Sequence, residues 1–429
     1  MRILFCNYEY PPLGGGGGVI NALLAQELAK QHEVTVLTSL GQSVPAESLE
    51  RGVRVLRVPI FVRRQEANAS LHSMLAFIIM GSKAGRELLR TQRFDLINTH
   101  FVLPTGPVGD ILARAAGIPN VLTVHAGDLY DPSKFTSPHR HPLLRAWIRR
   151  LLRRSDLVVG QSRNTLDNMR RFYTPEIEGV RIPLGIQKPQ VEIGSRRSYG
   201  FAENEILCVT VARLVARKAL HQLIAMMDAL RKEKVRLLII GTGPQEHRLK
   251  EEARQRGLEN RICFMGHVEE SEKFRLLKMC DLYISTSQHE GFGLVFLEAM
   301  ACALPIVCYS HGGQTDFLED TITGYLLPLN DLAGFLDACR RLMKDRALRL
   351  RIGQENVRRV GELFIDRCAR RYEEIFQEAI TRSRMEAIVS LSAMKKLPLR
   401  VAEARLAAAG DGENLTAALW PSRSARSQV

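Results

Sequence analysis

Two carboxylates stand eight positions apart in the segment HEGFGLVFLEAMAC, residues 289–302. Glu290 precedes Gly291-Phe292-Gly293, which predicts a tight turn, and Glu298 falls within the helical pattern that follows. The turn and the start of the helix can aim both carboxylates at one cleft. Carboxylates accept pairs of hydroxyl hydrogens, so this spacing suits a sugar and a ribose. The alternative is an ordinary helix with a solvent-facing Glu298, which its apolar neighbours disfavour.

Two cations follow an apolar strand pattern in VARLVARKAL, residues 211–220. Arg213 comes just past the strand, and Lys218 opens the next helical pattern. In α/β sheets, ligands bind beyond the carboxyl ends of the strands. An Arg that donates two hydrogen bonds and a Lys that acts as a point charge suit a diphosphate there. Solvated surface charge explains the pair equally well by itself, but the two carboxylates favour the diphosphate.

Glycine turns follow two of the strand patterns. Gly14–Gly18 are five consecutive glycines between the first strand and the first helix, where backbone N–H groups can face an anion. No frame of this run fits G-x-G-x-x-G, and the second strand ends in Thr38-Ser39 without an acidic residue for a ribose, which disfavours a nicotinamide enzyme. Gly312-Gly313 predict a second turn with exposed amides, although a plain turn would have the same residues.

His125 and Asp128 come at the end of another apolar strand pattern and would face the same cleft. A histidine at a strand end is more often structural than catalytic. No serine or cysteine nucleophile motif accompanies it, and the chain contains no H-E-x-x-H or D-x-D metal pattern. We therefore expect neither a resident metal nor a cofactor.

Apolar strand patterns alternate with helical ones, which predicts parallel sheets covered on both faces. The alternation occurs twice, on either side of a linker rich in Pro and Gly at Ile182–Arg197. We therefore expect an α/β fold with two Rossmann-like domains facing a cleft. Helices are expected at Val19–Gln31 and Val108–Ala116, among others, and the last at about Phe364–Ile380. The predicted strands are Ile3–Asn7, Val34–Thr38, Arg54–Val58, Asp95–His100, Asn120–His125, Asp156–Gln161, Ile206–Val211, Arg236–Ile240, Ile262–Met265, Asp281–Ser285 and Pro305–Tyr309.

The chain has 429 residues and a formal net charge of +14, which favours anionic partners such as phosphorylated metabolites, acidic lipids or nucleic acid. Nucleic-acid binding would explain the charge but not the motifs. The longest apolar run, Met74–Met80, is much shorter than a membrane span, and the N-terminus lacks the apolar region of a signal peptide. Eight cysteines without a C-x-x-C pair indicate reduced thiols and a cytoplasmic location.

Half of the net charge lies in residues 139–171, which carry nine Arg and two Asp. Within them, Leu143–Asp156 predicts a helix with an apolar stripe bordered by Arg, which is typical of an interfacial helix. The same stripe would also serve to pack the helix on a sheet. Ser70–Arg90, near Arg63-Arg64, is a second candidate contact. An anionic membrane surface is therefore a candidate partner, with peripheral attachment at the inner face of the membrane.

Together these segments resemble the retaining nucleotide-sugar glycosyltransferases of family 4, which have the GT-B fold of two Rossmann-like domains. The two glutamates with their flanks are specific to this pattern, whereas the glycine pairs alone are not. One departure is Ala219, because the family usually has Gly there, and residues 385–429 match nothing in the pattern. The matching segments are Gly14–Gly18, R-L-x-x-x-K at Arg213–Lys218, G-T-G-P at Gly241–Pro244, G-H-V at Gly266–Val268, E-G-F-G-L-x-x-L-E at Glu290–Glu298 and Gly312-Gly313.

The resemblance implies where the domains of the chain lie and which reaction they carry out. Residues 1–185 would form the acceptor-side domain and 198–365 the donor domain. Residues 366–384 would form a terminal helix that returns to the first domain, and 385–429 a partly disordered extension. The reaction would move a hexose-type sugar from a nucleotide diphosphate, UDP among the candidates, to a glycan, a lipid-linked molecule or a small molecule, with retention of anomeric configuration and no metal ion.

The resemblance also implies roles for individual residues. The two cations would neutralise the diphosphate, the first glutamate would hold sugar hydroxyls, and the histidine would contact the donor sugar near its reacting carbon. Gly266–Val268 would bracket the base, and Glu298 would take the ribose hydroxyls. The implied catalytic residues are His125, Glu290, Arg213 and Lys218. The implied donor-binding residues are Gly16, Gly17, Arg213, Lys218, Gly243, His267, Val268, Glu290, Gly291, Phe292, Gly293, Leu294 and Glu298.

Two other functions share this donor chemistry and stay open from the sequence alone. A nucleotide-sugar epimerase of similar fold would release an altered nucleotide sugar without using an acceptor. A binding protein would hold the nucleotide sugar without transferring it, but it would not need both the cation pair and the two spaced glutamates.

Sugar transfer is expected to persist in EDTA, because two cations stand where a metal ion would otherwise neutralise the diphosphate. The measurement is the rate of donor consumption with and without excess EDTA. Complete loss of turnover on chelation, restored by a divalent ion, would contradict the prediction.

Overall fold

The structure is a computed structural model that describes residues 1–41, 44–60, 70–132 and 135–408, with side chains up to residue 389. Arg63-Arg64 and residues 409–429, where poor order was expected, lie outside the described residues. The described chain contains two mainly parallel sheets in succession, one built from residues 2–181 and one from residues 206–327. The predicted α/β class and its two Rossmann-like units are confirmed.

The first sheet is parallel except for one antiparallel edge strand. It consists of β1 (Arg2–Asn7), β2 (Glu33–Ser39), β3 (Glu47–Glu50), β4 (Val53–Val58), β5 (Leu96–His100), β6 (Asn120–Val124), β7 (Leu157–Gly160) and β8 (Val180–Arg181). Their order is β3-β4-β2-β1-β5-β6-β7-β8. The order reverses between β1 and β5, and such a reversal opens a crevice at the carboxyl ends of the strands.

The second sheet is parallel throughout its described strands. It consists of β9 (Ile206–Val211), β10 (Val235–Ile240), β11 (Ile262–Gly266), β12 (Leu282–Ser285), β13 (Ile306–Tyr309) and β14 (Gly324–Leu327). Their order is β11-β10-β9-β12-β13-β14, so the reversal falls between β9 and β12.

The helices cover the sheets and connect successive parallel strands. They are α1 (Gly16–Leu28), α2 (Leu71–Thr91), α3 (Thr105–Ala116), α4 (Ala126–Leu129), α5 (Pro142–Arg154), α6 (Arg163–Phe172), α7 (Leu220–Ala229), α8 (Glu246–Gln255), α9 (Glu270–Met279), α10 (Leu294–Ala301), α11 (Leu332–Lys344), α12 (Arg346–Val360) and α13 (Ile365–Ala408).

Every predicted strand is present, with bounds that differ by at most one residue. The sequence analysis missed β3, β8 and β14. The reason is local: β3 reads Glu-Ser-Leu-Glu at the sheet edge, β8 has two residues, and β14 starts with Gly324. Helix α1 begins three residues before its predicted start because Gly15 caps it and the next glycines already have helical backbone.

The last helix is longer than predicted. Its start agrees with Phe364, but α13 continues to Ala408 rather than ending near Ile380. Residues 381–408 are rich in Ala, Met, Leu, Lys, Arg and Glu, which favour the helix even without strong amphipathic periodicity. Residues from 381 onward form a separate compact unit, whose described part is this end of α13.

The early part of α13 contacts elements of the first sheet. The Tyr372 hydroxyl lies 3.2 Å from Thr123 Oγ1, and Glu373 Oε1 lies 2.8 Å from His32 Nε2. Just before the helix, Phe364 forms an isolated bridge with Ile186 in the predicted linker. These contacts fit a returning helix, while the domain bounds stay a prediction.

Helix α5 packs on the first sheet through its apolar stripe. Ile148, Leu151 and Leu152 are buried in one cluster with residues of β6 and β7, whereas Leu143 is 86% exposed. Most of the stripe therefore serves the core. All eight cysteines lie in the described part and are unpaired there, and seven of them are buried.

Candidate active site

The predicted site residues lie after the carboxyl ends of strands in both sheets. Lys218 follows β9 and Glu290 follows β12, the two strands that flank the reversal in the second sheet. Gly16 and Gly17 follow β1, and His125 follows β6. The fold thus delivers side chains from both sheets to the same ends of their strands.

A buried ion pair joins Lys218 to Glu290. The Lys218 Nζ donates to Glu290 Oε1, and both residues are less than 10% exposed. The neighbouring Arg217 Nη1 donates to the His289 carbonyl at 2.8 Å. Burial by itself would raise the pKa of Glu290, but the nearby Lys218 and Arg217 charges hold that pKa below its ordinary value. The Glu290 carboxylate is therefore ionised and fixed in position.

Two glycines shape the turn that follows Glu290. Gly293 has a φ of +96° and caps α10, which is the left-handed backbone that favours glycine. Gly291 lies against the first sheet's elements, because a methyl group there would come within 2.5 Å of Ala126 Cβ. Phe292, between them, is buried. The E-G-F-G turn predicted from sequence is confirmed.

The second glycine turn supports the first. Gly312 forms an isolated parallel bridge with Glu290, and the Gly313 N–H donates to the Glu290 carbonyl at 2.8 Å. The Gly312-Gly313 pair therefore holds the backbone of Glu290 in place. This support is what the pair contributes to the site.

The glycine run of α1 faces the same turn. A methyl group at Gly16 would lie 3.7 Å from Leu294 Cδ1, and one at Gly17 would lie 2.6 Å from Phe101 Cζ. The start of α1 therefore approaches α10 closely, and position 17 has no room for a side chain unless Phe101 moves.

The remaining donor residues stand on neighbouring loops. Arg213 lies two residues after the end of β9 and is exposed. A methyl group at Gly243 would overlap the backbone of Leu214, so the G-T-G-P turn packs directly on the segment that carries Arg213. His267 is exposed and Val268 half-buried just after β11.

Ala219, the departure from the family pattern, lies where α7 begins. Its φ is +48°, and it is buried. A left-handed backbone at a helix start explains why glycine is usual there.

Glu298 projects from α10 and is also largely buried. Its Oε1 accepts from Lys273 Nζ at 2.8 Å. Burial raises the pKa of Glu298, and the Lys273 charge opposes that effect. Apolar neighbours thus exclude solvent from Glu298, as predicted, but its partner on α9 was not foreseen.

His125 is buried, and its burial rather than its hydrogen bond to Gln161 keeps it neutral. Its Nδ1 lies 3.1 Å from Gln161 Oε1, its Nε2 lies 3.4 Å from His100 Nδ1, and its ring stacks on Phe101 at 4.2 Å. Burial lowers the pKa of His125 to about 4. Asp128 accepts the His125 backbone N–H at 3.0 Å, so its role here is to shape the loop.

Residues of the first sheet's elements contact residues of the second sheet's loops near the turn that follows Glu290. Ser162 Oγ donates to the Gly291 carbonyl at 3.0 Å, and Asp316 Oδ2 accepts from the Arg163 N–H at 2.8 Å and from Arg181 Nη1 at 3.0 Å. The sequence analysis did not name Gln161 and Ser162 as site residues. Both follow β7, so the rule that ligands bind beyond the carboxyl ends of strands would have identified them.

Within the described ranges, no group of three or more His, Cys, Asp or Glu could hold a metal ion.

Family comparisons agree with this architecture. The model described as "Glycosyl transferase 4-like domain" matches residues 15–185, and the model described as "Glycosyl transferases group 1" matches residues 193–359. The chain belongs to the glycosyltransferases of the GT-B fold. Within that fold it is of the family-4 type.

Named relatives cover most of the chain. N-acetyl-alpha-D-glucosaminyl L-malate synthase of Bacillus anthracis is 25% identical over 86% of this chain and 96% of that protein. An uncharacterised glycosyltransferase of Methanocaldococcus jannaschii is 30% identical over 77% and 86%, respectively. Alpha-monoglucosyldiacylglycerol synthase of Streptococcus pneumoniae is 26% identical over 78% of this chain and 77% of that protein.

Solved structures show the same fold. Sucrose-phosphate synthase of Thermosynechococcus elongatus superposes with a TM-score of 0.77 at 20% identity, covering 89% of this chain and all of that one. Anabaena HepE, solved in complex with UDP, gives a TM-score of 0.71 at 19% identity over 88% and 100% of the two chains.

Acid is expected to destabilise this protein partly through His125. Below pH 6.5 the unfolded chain binds a proton at this residue, whereas the folded chain does not until about pH 4. The free energy of unfolding should therefore fall by up to about 3 kcal/mol across that window. His125→Asn should flatten the dependence of the urea midpoint on pH. The same substitution at the exposed His247 is the control, and curves for His125→Asn and wild type that coincide would contradict the prediction.

Proposed function

We propose that this protein transfers a hexose-type sugar from a nucleotide diphosphate donor to an acceptor, with retention of configuration and without a metal ion. The observation that carries the proposal is the buried, ionised Lys218–Glu290 pair at the reversal of the second sheet. A cation and a carboxylate fixed together there suit the junction of a diphosphate and a sugar, where negative charge and hydroxyl groups meet.

Different residues would contact different parts of the donor. Lys218 and Arg213 would stabilise the charge that grows on the diphosphate as its bond to the sugar breaks. Glu290 would accept hydrogen bonds from sugar hydroxyls while the amides of the following turn donate to them. Glu298 would accept from the ribose, and the loop of His267 and Val268 would bracket the base, chiefly through its backbone.

The neutral state of His125 limits what it can do. A histidine with a pKa near 4 carries no charge at neutral pH, so it would not repel a positively charged transition state at the reacting carbon. We assign it a contact to the donor sugar rather than proton transfer. No protein nucleophile is required if the acceptor attacks on the face that the diphosphate leaves, with the leaving phosphate taking the proton.

The relatives support the donor class more than the acceptor. HepE was solved with UDP, so UDP-sugars are the first donors to test. The relatives' names indicate products as different as a glucosaminyl malate and a monoglucosyl-diacylglycerol. The acceptor is therefore proposed only as a glycan, a lipid-linked molecule or a small molecule. The relatives are named as transferases or synthases, which does not favour the epimerase or the binding protein.

Lys218→Ala and Glu298→Ala should each weaken nucleotide binding. Loss of one charged partner from a desolvated contact costs on the order of 2–5 kcal/mol, and UDP, GDP or ADP should no longer raise the thermal midpoint. The measurements are calorimetric affinity and thermal shift, with the exposed Lys232→Ala as the control. Wild-type nucleotide affinity in folded Lys218→Ala would refute the assignment.

We also propose that helix α2 attaches the protein to an anionic membrane surface. Leu71, Leu75 and Ile79 recur every four residues on one face of the helix, and each is more than half exposed. Lys83 and Arg86 are exposed on the following turns. An apolar face next to basic residues suits an acidic interface. No helix in the described ranges is both long and apolar enough to span a bilayer.

Helix α5 is the weaker of the two membrane candidates. Arg145 and Arg149 donate to backbone carbonyls of Phe172 and Tyr173, and Arg153 pairs with Glu176. These contacts occupy much of its charge within the protein.

Acidic vesicles should sediment the wild-type protein at low salt, while neutral vesicles should not. A triple variant, Leu71→Ser with Leu75→Ser and Ile79→Ser, should reduce the sedimented fraction severalfold, because the apolar contribution is lost. Leu49→Ser, at an exposed leucine of β3, is the matched control. Equal recovery in the supernatant with both vesicle types would rule out membrane attachment and indicate a soluble acceptor.

A further inference from the structure

The two oxygens of the Glu298 carboxylate have different surroundings. Oε1 accepts from Lys273 Nζ at 2.8 Å. Oε2 is buried and has no hydrogen-bond partner among the described residues. A buried carboxylate oxygen without a donor is costly, and native proteins usually pair such an atom with a protein group, an ordered water or a ligand. The Glu298 Oε2 atom can therefore accept a hydrogen bond from a ligand without losing one within the protein.

Lys273 contacts Glu270 and Phe274 as well as Glu298. Its Nζ lies 2.9 Å from Glu270 Oε2 and 4.9 Å from the centre of the Phe274 ring, and its side chain is 13% exposed. Glu270 is 71% exposed, so its pair with Lys273 is the weaker, solvent-screened one. Glu298, at 12% exposed, is the buried partner that gives Lys273 its position.

The lysine stands next to the segment assigned to the base. It lies in the first turns of α9, which starts two residues after Val268, while Glu298 lies on α10. The contact between α9 and α10 thus joins the loop proposed for the base to the carboxylate proposed for the ribose.

We propose that Lys273 is a positioning residue for the nucleotide: it holds one oxygen of Glu298 so that the other faces the ribose hydroxyls. The inference rests on the ribose-binding role proposed for Glu298. Without the lysine, the carboxylate can rotate or bind a proton, and it then accepts fewer hydrogen bonds from the ribose. Lys273 acts through Glu298 and makes no contact with the ligand itself.

A purely structural ion pair would behave differently. Its loss would lower stability and weaken every nucleotide alike. A lysine that acts through the ribose instead changes the discrimination between a nucleotide and its 2′-deoxy form, because only the former can use the second hydroxyl.

The experiment measures calorimetric affinities of UDP, GDP and ADP and of their 2′-deoxy counterparts. The proteins are wild type, Lys273→Met, Lys273→Gln and Lys273→Arg. Lys250→Met is the control, because Lys250 pairs with Glu246 on another helix, α8. Lys273→Gln gives the same information if Lys273→Met does not fold. Wild type should prefer the ribonucleotide roughly tenfold or more, since hydrogen bonds to charged groups are strong.

Lys273→Met and Lys273→Gln should lose most of this preference, and Lys273→Arg should restore it. A wild-type preference that persists undiminished in Lys273→Met or Lys273→Gln would overturn the inference and leave the donor assignment intact. If wild type binds none of the three nucleotides, or does not distinguish the 2′-deoxy forms, the ribose role of Glu298 fails and the inference fails with it.

Discussion

Burial of the Lys218–Glu290 pair is the constraint on which the donor side of the structure depends. Two charges removed from water are tolerated only when they face each other closely, and removal of one partner leaves the other uncompensated. The loop after β9 must therefore stay in register with the turn after β12. That turn is fixed in its place by the backbone bridge from Gly312, so the fold imposes the position of both charges.

The first sheet contributes an uncharged ring to this centre. Gln161 and Phe101 hold the ring of His125, and the ring carries no charge at neutral pH. The cations proposed to bind the diphosphate thus come from the second sheet, and the first provides the neutral His125 ring. This asymmetry suits a reaction in which the leaving group stays bound while a different molecule approaches from the opposite side.

Sequence reasoning located the strands well because their apolar runs are continuous, and it located the residues that follow them. It identified Glu290, Glu298 and Lys218 from spacing and residue type. It did not identify Lys273, since a lysine three residues inside an ordinary charged helix carries no local signal. Its role depends on how α9 and α10 pack. Edge strands such as β3 were missed for a related reason. Pairing with a neighbouring strand, rather than an apolar run in their own residues, makes them strands.

The close approach of Gly291 to Ala126 has a consequence for how this sequence can vary. A methyl group at position 291 would come within 2.5 Å of Ala126 Cβ and 3.1 Å of Gln161 Nε2. Residues from the two halves of the chain are therefore packed together at this point, without space for an added methyl group. A larger residue on either side has to be matched by a smaller one or by a wider separation of the loops. Positions 126 and 291 should accordingly covary among homologues, although they lie 165 positions apart along the chain.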